Sequence, residues 1–267
     1  MDKKEILIRL EQLPGRVGFF YKNLQTGESF GLHHQEEFLA ASVIKLPVYA
    51  VIMKLAAEGQ IDLSEKLLCR EEDKLPPCGA LYFFTGEVTV DIRTLCGLMI
   101  SLSDNAATNL LLRRFGLDFL NEQFKQIGLE KTHLERLLFD GEAAARGLEN
   151  RIVPEEIGVL LAQIAQRRFV SEAVSAEMEK LLLAQQINHK IPGYLPEGTP
   201  VAHKTGEDDG ITNDVGIVFA KEPFVLCFAY NGPDVPQAER TLRQLALDLY
   251  NAYNPYKKSP GLRKEAG

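Results

Sequence analysis

The chain lacks several features that mark whole classes of protein. It has 267 residues and no tryptophan, and its other aromatic residues are scattered at core-like spacing, so nothing indicates a platform for stacking nucleotide bases. No run of about eighteen apolar residues occurs, so no transmembrane helix is predicted. The net charge of −7 argues against a general affinity for nucleic acids or membrane surfaces. We therefore expect neither of these among its partners.

Cysteine and histidine are too few and too dispersed to form a recognisable framework. The cysteines are Cys69, Cys78, Cys96 and Cys227. Because they lack paired Cys-x-x-Cys spacing, we interpret them as reduced thiols or buried fillers, not as a disulfide framework. The histidines show no His-x-x-x-His or histidine–carboxylate cluster with metal spacing, so we expect no metal and no cofactor. We interpret His203 as an outward-facing strand residue, with a place in a cleft as the alternative.

The beginning of the chain resembles an ordinary helix more than an export signal. Charges interrupt the apolar stripe of residues 1–11, which is typical of an amphipathic helix and not of a signal peptide. As the sequence stands we expect a cytoplasmic protein, exported only if a leader is missing. Hydrophobic residues make up 45% of the chain, enough for a sizeable core in one large domain or two interleaved subdomains.

Strand patterns occupy both ends of the chain, and helical patterns fill its middle. Near the N-terminus, Arg16 to Tyr21 and Glu28 to Leu32 are predicted to form a hairpin. Three β-type runs follow residue 199, with residues 206–213 as a connecting hairpin loop, and a helix from Pro236 to Tyr253 closes the pattern. Within the helical middle, we expect residues 62–90 to be irregular and residues 129–153 to form a long loop, a length that is usually functional.

Neither end carries enough strands for a stable sheet of its own. We therefore predict an α+β fold, an α/β sandwich with one antiparallel sheet built from both chain ends, flanked by the terminal helices and carrying an inserted all-α lobe. The predicted single domain, 1–267, divides into an α/β subdomain of residues 1–40 plus 190–253 and an all-α subdomain of residues 41–189. Residues 254–267 are predicted to be a flexible tail.

A serine and a lysine stand three residues apart where an apolar helix begins. On a helix, Ser42 and Lys45 share one face, so their side-chain ends can meet. A serine hydroxyl needs a base within reach to act as a nucleophile, and burial of a lysine among apolar neighbours favours its neutral, basic form. The helix N-terminus would add backbone N–H groups beside an oxyanion. Alone, however, Ser-x-x-Lys is a loose pattern that also fits a plain N-cap serine.

A second serine pattern is set aside. Residues 27–31, Gly-Glu-Ser-Phe-Gly, match the Gly-x-Ser-x-Gly elbow of α/β-hydrolases, which requires a strand before the serine and a helix after it. Turn and strand residues surround Ser29 instead, so we do not interpret it as a nucleophile.

Two further short motifs stand where a crevice between two lobes would need them. Ser103-Asp104-Asn105 falls at a predicted break between helices, and Lys204-Thr205-Gly206 falls at the end of a predicted strand. Each is expected by chance in roughly a few of a hundred such chains, and all three motifs in this order in about one in a thousand. The alternatives of an N-cap, a turn and a solvated strand lysine are plausible singly but improbable together.

With these three motifs the chain resembles the penicillin-recognising serine enzymes, and among them the class A β-lactamases. The resemblance covers nearly the whole chain. It implies that Ser42 attacks the substrate carbonyl and becomes acylated, with Lys45 as the proton acceptor. It implies further that Ser103 relays a proton to the leaving nitrogen and that Asn105 holds Lys45 and the substrate amide.

The same resemblance assigns the substrate-binding strand. Lys204 and Thr205 would bind the substrate carboxylate, and the charge of Lys204 would favour neutral Lys45. Gly206 would let the substrate lie beside the strand edge. The backbone N–H groups of Ser42 and Glu207 would form the oxyanion hole.

One element of the family pattern is missing. Thr132-x-Leu134-x-Arg136 resembles the entry to the family's Ω-loop, and Pro154 resembles the start of the helix that leaves it. Class A β-lactamases place there a glutamate that activates the deacylating water. In this register its place falls on Leu137 or Leu138, and the Glu-x-x-x-Asn spacing is absent.

Four acids lie near that position, namely Glu135, Asp140, Glu142 and Glu149. On a charged loop each fits a solvated surface group, and Asp140 is our candidate if one of them has taken over as the deacylation base. Without such a base, acylation would remain intact while deacylation is slow.

The sequence therefore predicts a serine hydrolase that forms an acyl-enzyme on Ser42 and opens β-lactam amides, as an antibiotic-resistance enzyme does. One alternative is a DD-peptidase-like or esterase-like hydrolase acting on a D-amino-acid peptide or an ester. Another is a penicillin-binding module that is acylated without turnover. In each case we expect a small-molecule substrate and a monomeric protein.

Overall fold

The computed structural model describes residues 2–76 and 78–253, so the predicted tail at 254–267 lies outside the described residues. The α-helices in these ranges are α1 Lys3–Glu11, α2 Lys45–Ala57, α3 Ile92–Ser101, α4 Asn105–Phe115, α5 Leu117–Gln126, α6 Gly141–Ala145, α7 Pro154–Ala165, α8 Glu172–Leu183 and α9 Val235–Tyr253. The strands there are β1 Arg16–Asn23, β2 Ser29–Leu32, β3 Phe38–Leu39, β4 Lys66–Cys69, β5 Val88–Asp91, β6 Arg151–Ile152, β7 Val201–Asp208, β8 Ile211–Val218 and β9 Phe224–Asn231.

The two ends of the chain meet in one antiparallel sheet with the strand order β2-β1-β9-β8-β7. β1 pairs with β9 along its full length, from Arg16 opposite Asn231 to Asn23 opposite Phe224. This pairing joins the N-terminal hairpin β1-β2 to three consecutive C-terminal strands, β7, β8 and β9. The predicted α+β architecture is confirmed, and β7 lies at an edge of the sheet.

Helices cover both faces of the sheet, which explains the unbroken apolar sequence of β9. Leu226 and Phe228 belong to a core shared with α1 and α9, whereas Val225 and Cys227 belong to a core shared with α7 and the helical middle. Successive strand residues point to opposite faces, so a strand buried on both sides needs apolar residues at every position.

Helix α2 runs through the centre of the helical middle and is buried nearly all round. Such a helix shows no polar face, which is why its sequence is almost continuously apolar. A 3₁₀ turn over Ala41–Ile44 leads directly into it. Pro47 is tolerated because it stands in the first turn, where backbone N–H groups have no helical partner.

Three segments differ from their predictions. The stretch 62–90 was expected to be irregular, but β4 and β5 pair there as a small sheet. The expected long loop at 129–153 contains the short helix α6, and β6 pairs with β3. The predicted hairpin loop 206–213 is mostly strand, because a turn at Asp209-Gly210, with Gly210 at φ 66°, suffices to join β7 to β8.

The remaining expectations concern the cysteines and the lobes. All four cysteines are free thiols, as predicted, and Cys78 is the least buried of them. Within the described ranges, no helix has both the length and the apolar character needed to cross a bilayer. The division into an α/β subdomain and an all-α subdomain stays a prediction.

Candidate active site

Ser42 lies on the 3₁₀ turn that precedes α2, not at the N-cap of the helix itself. The backbone before it is unusual, since Ala41 has a φ of 41°, a left-handed conformation that non-glycine residues seldom adopt. Such strain persists only where surrounding contacts hold it, and the Ala40 N–H donates to Asn150 O over 2.9 Å. The side chain of Ser42 remains partly accessible to solvent.

Lys45 is fully buried and is held by two residues of the second motif. Its Nζ donates to Ser103 O at 2.8 Å, to Ser103 Oγ at 3.0 Å and to Asn105 Oδ1 at 2.8 Å. Burial lowers the pKa of Lys45 well below its ordinary value, and the positive charge of Lys204 lowers it further. Loss of a proton from this ammonium is therefore unusually easy, as a general base requires.

Lys204 reaches the same hydroxyl from the sheet side. Its Nζ donates to Ser103 Oγ at 3.1 Å and to Thr205 O at 2.8 Å. Burial lowers the pKa of Lys204 to about 7, while the carboxylate of Asp214 acts in the opposite direction. The structure thus brings Lys45, Ser103 and Lys204 together around one oxygen atom. Thr205 is buried beside them and pairs in register with Asp214.

The Ser103-Asp104-Asn105 motif is fixed by the break between α3 and α4. Ser103 has a φ of 55°, so the chain turns sharply there. Asp104 Oδ1 caps α4 by accepting from Ala107 N at 2.9 Å. The break is therefore set by an N-cap and a left-handed residue, and together they aim the side chains of Ser103 and Asn105 at Lys45.

A loop that the sequence did not single out is pinned to this motif. Asp104 Oδ2 accepts from Ala80 N at 2.7 Å and from Leu81 N at 2.9 Å. The Asn105 N–H donates to Cys78 O at 3.4 Å. Gly79, at φ 116°, packs so closely that a Cβ atom there would lie 2.3 Å from the carboxylate carbon of Asp104.

Gly206 brings strand β7 into direct contact with the turn that carries Ser42. A Cβ atom at Gly206 would lie 3.0 Å from Ala40 O and 3.2 Å from Ser42 N. Only glycine permits this approach without displacement. The peptide that follows Gly206 supplies the N–H of Glu207, so the two predicted oxyanion donors belong to backbone segments that touch.

The prediction that His203 faces outward is wrong. Its ring is fully buried, with Nδ1 at 2.9 Å from Asp214 Oδ1 and Nε2 at 2.9 Å from Asn188 Oδ1. Both strand faces are covered by helices here, so a polar residue can be buried provided that it is paired. Sequence reasoning also missed Lys190, a fully buried cation that directly precedes the 3₁₀ helix Ile191–Tyr194.

The fold brings together one histidine and two glutamates that the spacing of histidines in the sequence did not indicate. The ligand atoms of His189, Glu207 and Glu239 all lie within 4.8 Å of one another, because three distant segments meet there. Both carboxylates already have cationic partners, with Lys190 3.2 Å from Glu207 and Arg243 3.4 Å from Glu239. We therefore assign no metal to this cluster.

Three of the four candidate acids on the 129–153 segment have local partners. Asp140 Oδ1 accepts from Ala143 N at 2.9 Å and so caps α6. Glu149 pairs with Arg136 at 2.8 Å, and Glu135 accepts from the Glu149 N–H at 2.8 Å, while Glu142 is exposed. Among the described residues, none of these four acids forms a hydrogen bond or ion pair with Ser42 or Lys45.

The position expected for the family's glutamate carries leucine. Leu138 is anchored on both sides by Asn109, which accepts from its N–H and donates to its carbonyl, each over 2.9 Å. Leu137 and Leu138 pack against the main core. This segment is therefore held in place with an apolar side chain where the resemblance to class A β-lactamases implies a carboxylate.

Comparison with known proteins agrees with the geometry. The β-lactamase from Sphaerobacter thermophilus has 28% sequence identity and a TM-score of 0.86, covering 95% of this chain and 98% of that one. PBP-A has 27% identity and a TM-score of 0.85, covering 95% of this chain and 96% of that one. An ancestral class A β-lactamase, at 21% identity and a TM-score of 0.83 over 94% and 99% of the two chains, shares the fold.

The family model described as the beta-lactamase enzyme family matches residues 3–253. The resemblance inferred from the three motifs is thereby confirmed, and the chain belongs to the beta-lactamase enzyme family.

Proposed function

We propose that Ser42 forms an acyl-enzyme with β-lactam amides and that this ester is hydrolysed slowly. The observation that carries the proposal is the position of Ser103 Oγ, within 3.0 Å of Lys45 Nζ and 3.1 Å of Lys204 Nζ. One hydroxyl linked to a readily neutralised amine and to a second cation provides a route for a proton.

The proposed acylation uses the side chains of Ser42, Lys45 and Ser103. Neutral Lys45 takes the proton of the Ser42 hydroxyl as its oxygen bonds to the substrate carbonyl carbon. The oxyanion is stabilised by the N–H groups of Ser42 and Glu207. When the carbon–nitrogen bond breaks, the leaving nitrogen receives the Ser103 hydroxyl proton, and Ser103 recovers one from Lys45. The products are an ester on Ser42 and an amine, and Lys45 is neutral again.

Substrate binding depends on the edge strand β7. Charged Lys204 and the Thr205 hydroxyl bind the substrate carboxylate, and the glycine at 206 leaves the strand edge open for the substrate backbone. Asn105 holds Lys45 and contacts the substrate amide. A small molecule with a carboxylate close to its reactive amide fits these groups.

Slow deacylation is proposed because none of the four candidate acids on the described 129–153 segment contacts Ser42 or Lys45. Asp140 caps a helix and Glu149 pairs with Arg136, so neither carboxylate is free to orient water at Ser42. The similarity to PBP-A supports acylation by penicillins, since a leucine-to-glutamate variant of PBP-A has been solved as an acyl-enzyme complex with penicillin G.

A chromogenic cephalosporin tests the proposal. We expect a burst of one equivalent of product followed by turnover slower than the burst. Fast turnover without a burst would contradict slow deacylation, and a burst that stops at one equivalent would indicate a penicillin-binding module. If β-lactams do not react at all, the proposed substrate class is wrong.

A second candidate is a DD-peptidase-like or esterase-like hydrolase with the same nucleophile. The missing glutamate favours it, because without that acid the chain lacks the group that marks an efficient class A β-lactamase. Cleavage of D-amino-acid amides or small esters, with no reaction toward β-lactams, would support this candidate.

A further inference from the structure

Lys190 is a fully buried cation that the acylation mechanism above does not use. Its Nζ donates to Gly206 O at 2.8 Å and to Asn213 O at 3.2 Å, and it lies 3.2 Å from Glu207 Oε1. These contacts occupy the ammonium completely and leave it no access to solvent. Lys190 therefore does not touch a substrate, and any effect on catalysis must act through its neighbours.

The segment that carries Lys190 is clamped to the sheet by buried polar contacts. The Ile191 N–H donates to Asp214 Oδ2 at 2.9 Å, and Asn188 Oδ1 lies 2.9 Å from His203 Nε2. Buried polar groups that are fully paired define a single arrangement. The contacts of Asn188 and Ile191 thus hold Lys190 in place from both sides along the chain.

The acceptor of Lys190 belongs to the peptide that contributes to the oxyanion hole. The Gly206 carbonyl and the Glu207 N–H are the two ends of one planar peptide, whose dipole extends from one to the other. The positive charge of Lys190 beside the carbonyl oxygen draws electron density along the peptide group toward that oxygen. The Glu207 N–H at the other end becomes more positive. Such an N–H binds a developing oxyanion more strongly, because hydrogen bonds to charged partners grow with the charge on the donor.

We propose that Lys190 is a positioning residue that polarises the Gly206–Glu207 peptide and thereby strengthens the oxyanion hole for acylation of Ser42. This inference rests on the proposed function and adds to it a residue for which the sequence gave no motif.

The surroundings of Lys190 favour its charged form. Its partners are carbonyl and carboxylate oxygens, which accept hydrogen bonds and cannot donate one. Burial lowers the pKa of Lys190, but the charges of Glu207, Asp214 and Glu239 raise it. The carboxylate of Glu207 also offsets part of the charge that the Gly206 carbonyl feels, so Glu207 sets how strongly Lys190 acts.

The test compares Lys190→Met and Lys190→Gln with Lys190→Arg, after thermal melts have established which variants fold. Removing a whole oxyanion donor costs roughly a hundredfold to a thousandfold in rate. Weakening one donor should therefore lower the acylation rate constant about tenfold in the neutral variants, and arginine should restore most of it. Infrared spectra of an acyl-enzyme labelled with ¹³C at the ester carbonyl give the second readout, because weaker hydrogen bonding moves that band to higher wavenumber.

Glu207→Gln gives the opposite prediction in a variant that should fold, since this side chain is half exposed. Removing this carboxylate takes away one of the negative charges that oppose Lys190, so the carbonyl band should move to lower wavenumber. In the double variant with Lys190→Gln this shift should disappear, because coupled residues are not additive. An equal shift in both backgrounds would show that Glu207 does not act through Lys190.

Two results would overturn the proposal. If the neutral variants only move the pH profile of acylation and reach the original rate at another pH, Lys190 acts through the pKa of Lys204. If rate and carbonyl band are unchanged in every folded variant, Lys190 is purely structural. Failure of the proposed function is distinct from both, since the unmodified protein would then not be acylated at all.

Discussion

The ammonium groups of Lys45 and Lys204 donate to the same oxygen atom, Ser103 Oγ, over 3.0 and 3.1 Å. Both lysines are fully buried, and the charge of Lys204 makes the charged form of Lys45 less favourable. Since two donors occupy the lone pairs of that hydroxyl, its own proton is left free to be given elsewhere. Two ammonium groups this close lose their protons in separate steps, and the first loss leaves a neutral amine that can act as the base.

Lys45 must be neutral to act as a base, whereas Lys204 must be charged to bind a carboxylate. The pH dependence of acylation should therefore depend on the substrate. Raising the pH neutralises Lys45 and speeds attack, but above about pH 7 it also removes the charge on Lys204 that binds a carboxylate. We expect the second-order acylation constant to fall above about pH 7 for a carboxylate-bearing penicillin. A matched ester without a carboxylate should show no such fall, and the same alkaline decrease for both substrates would exclude Lys204 as the carboxylate-binding group.

Covalent labelling identifies the nucleophile. Ser42→Ala should abolish the mass increase that the protein shows after incubation with penicillin G, because Ser42 lies on the turn that strand β7 contacts at Gly206 and is the proposed nucleophile. Ser29→Ala is the matched control, since Ser29 lies in the Gly-x-Ser-x-Gly sequence but at the exposed start of strand β2. Loss of label from the Ser29 variant, or its persistence in the Ser42 variant, would show that the assignment is wrong.

Much of this arrangement could be predicted because short patterns carry their own geometry. Strand-like runs at both ends required a shared sheet, and the three motifs were predicted at a helix start, a break and a strand. Ser42 lies on the 3₁₀ turn just before that helix. The local reason for the break at Ser103 was also visible, since Asp104 is a typical N-cap residue.

What could not be predicted depends on contacts between distant segments. The buried position of Lys190 becomes evident only from its hydrogen bonds to the carbonyl groups of Gly206 and Asn213. That of His203 becomes evident only from its contact with Asp214. Gly79 could be recognised as a chain breaker, but its close packing against Asp104 could not, because the two residues belong to different segments. Residue spacing reveals periodicity within one helix or strand. The roles of these residues come from contacts between different helices, strands and loops, which spacing does not reveal.

Asp140 provides a test of the absent deacylation base. Its carboxylate caps α6, and asparagine caps a helix about as well as aspartate. Asp140→Asn should therefore leave both stability and the deacylation rate unchanged, whereas Asp140→Ala should lose about 1 kcal/mol of unfolding free energy. If the asparagine variant deacylates markedly more slowly, its carboxylate takes part in water activation after all.

A carboxylate supplied at the expected position should speed deacylation. Leu138→Glu places an acid on a segment that Asn109 already anchors, so the backbone need not move. General bases contribute roughly a hundredfold to ten-thousandfold, and an imperfectly placed one should still raise steady turnover about tenfold. Leu137→Glu is the comparison that reports which of the two positions faces Ser42, and unchanged turnover in both folded variants would contradict the register inferred from Arg136.

The loop pinned by Asp104 should prove necessary for the geometry of the second motif. Gly79→Ala places a Cβ atom 2.3 Å from the Asp104 carboxylate carbon and adds strain at a φ of 116°. We expect a loss of about 1–3 kcal/mol in stability, measured by chemical denaturation, together with slower acylation. Gly86→Ala is the matched control, since Gly86 also has a positive φ, 72°, but open space around it. If both variants lose the same stability and neither is acylated more slowly, backbone strain alone explains Gly79, and the contact with Asp104 does not position Ser103.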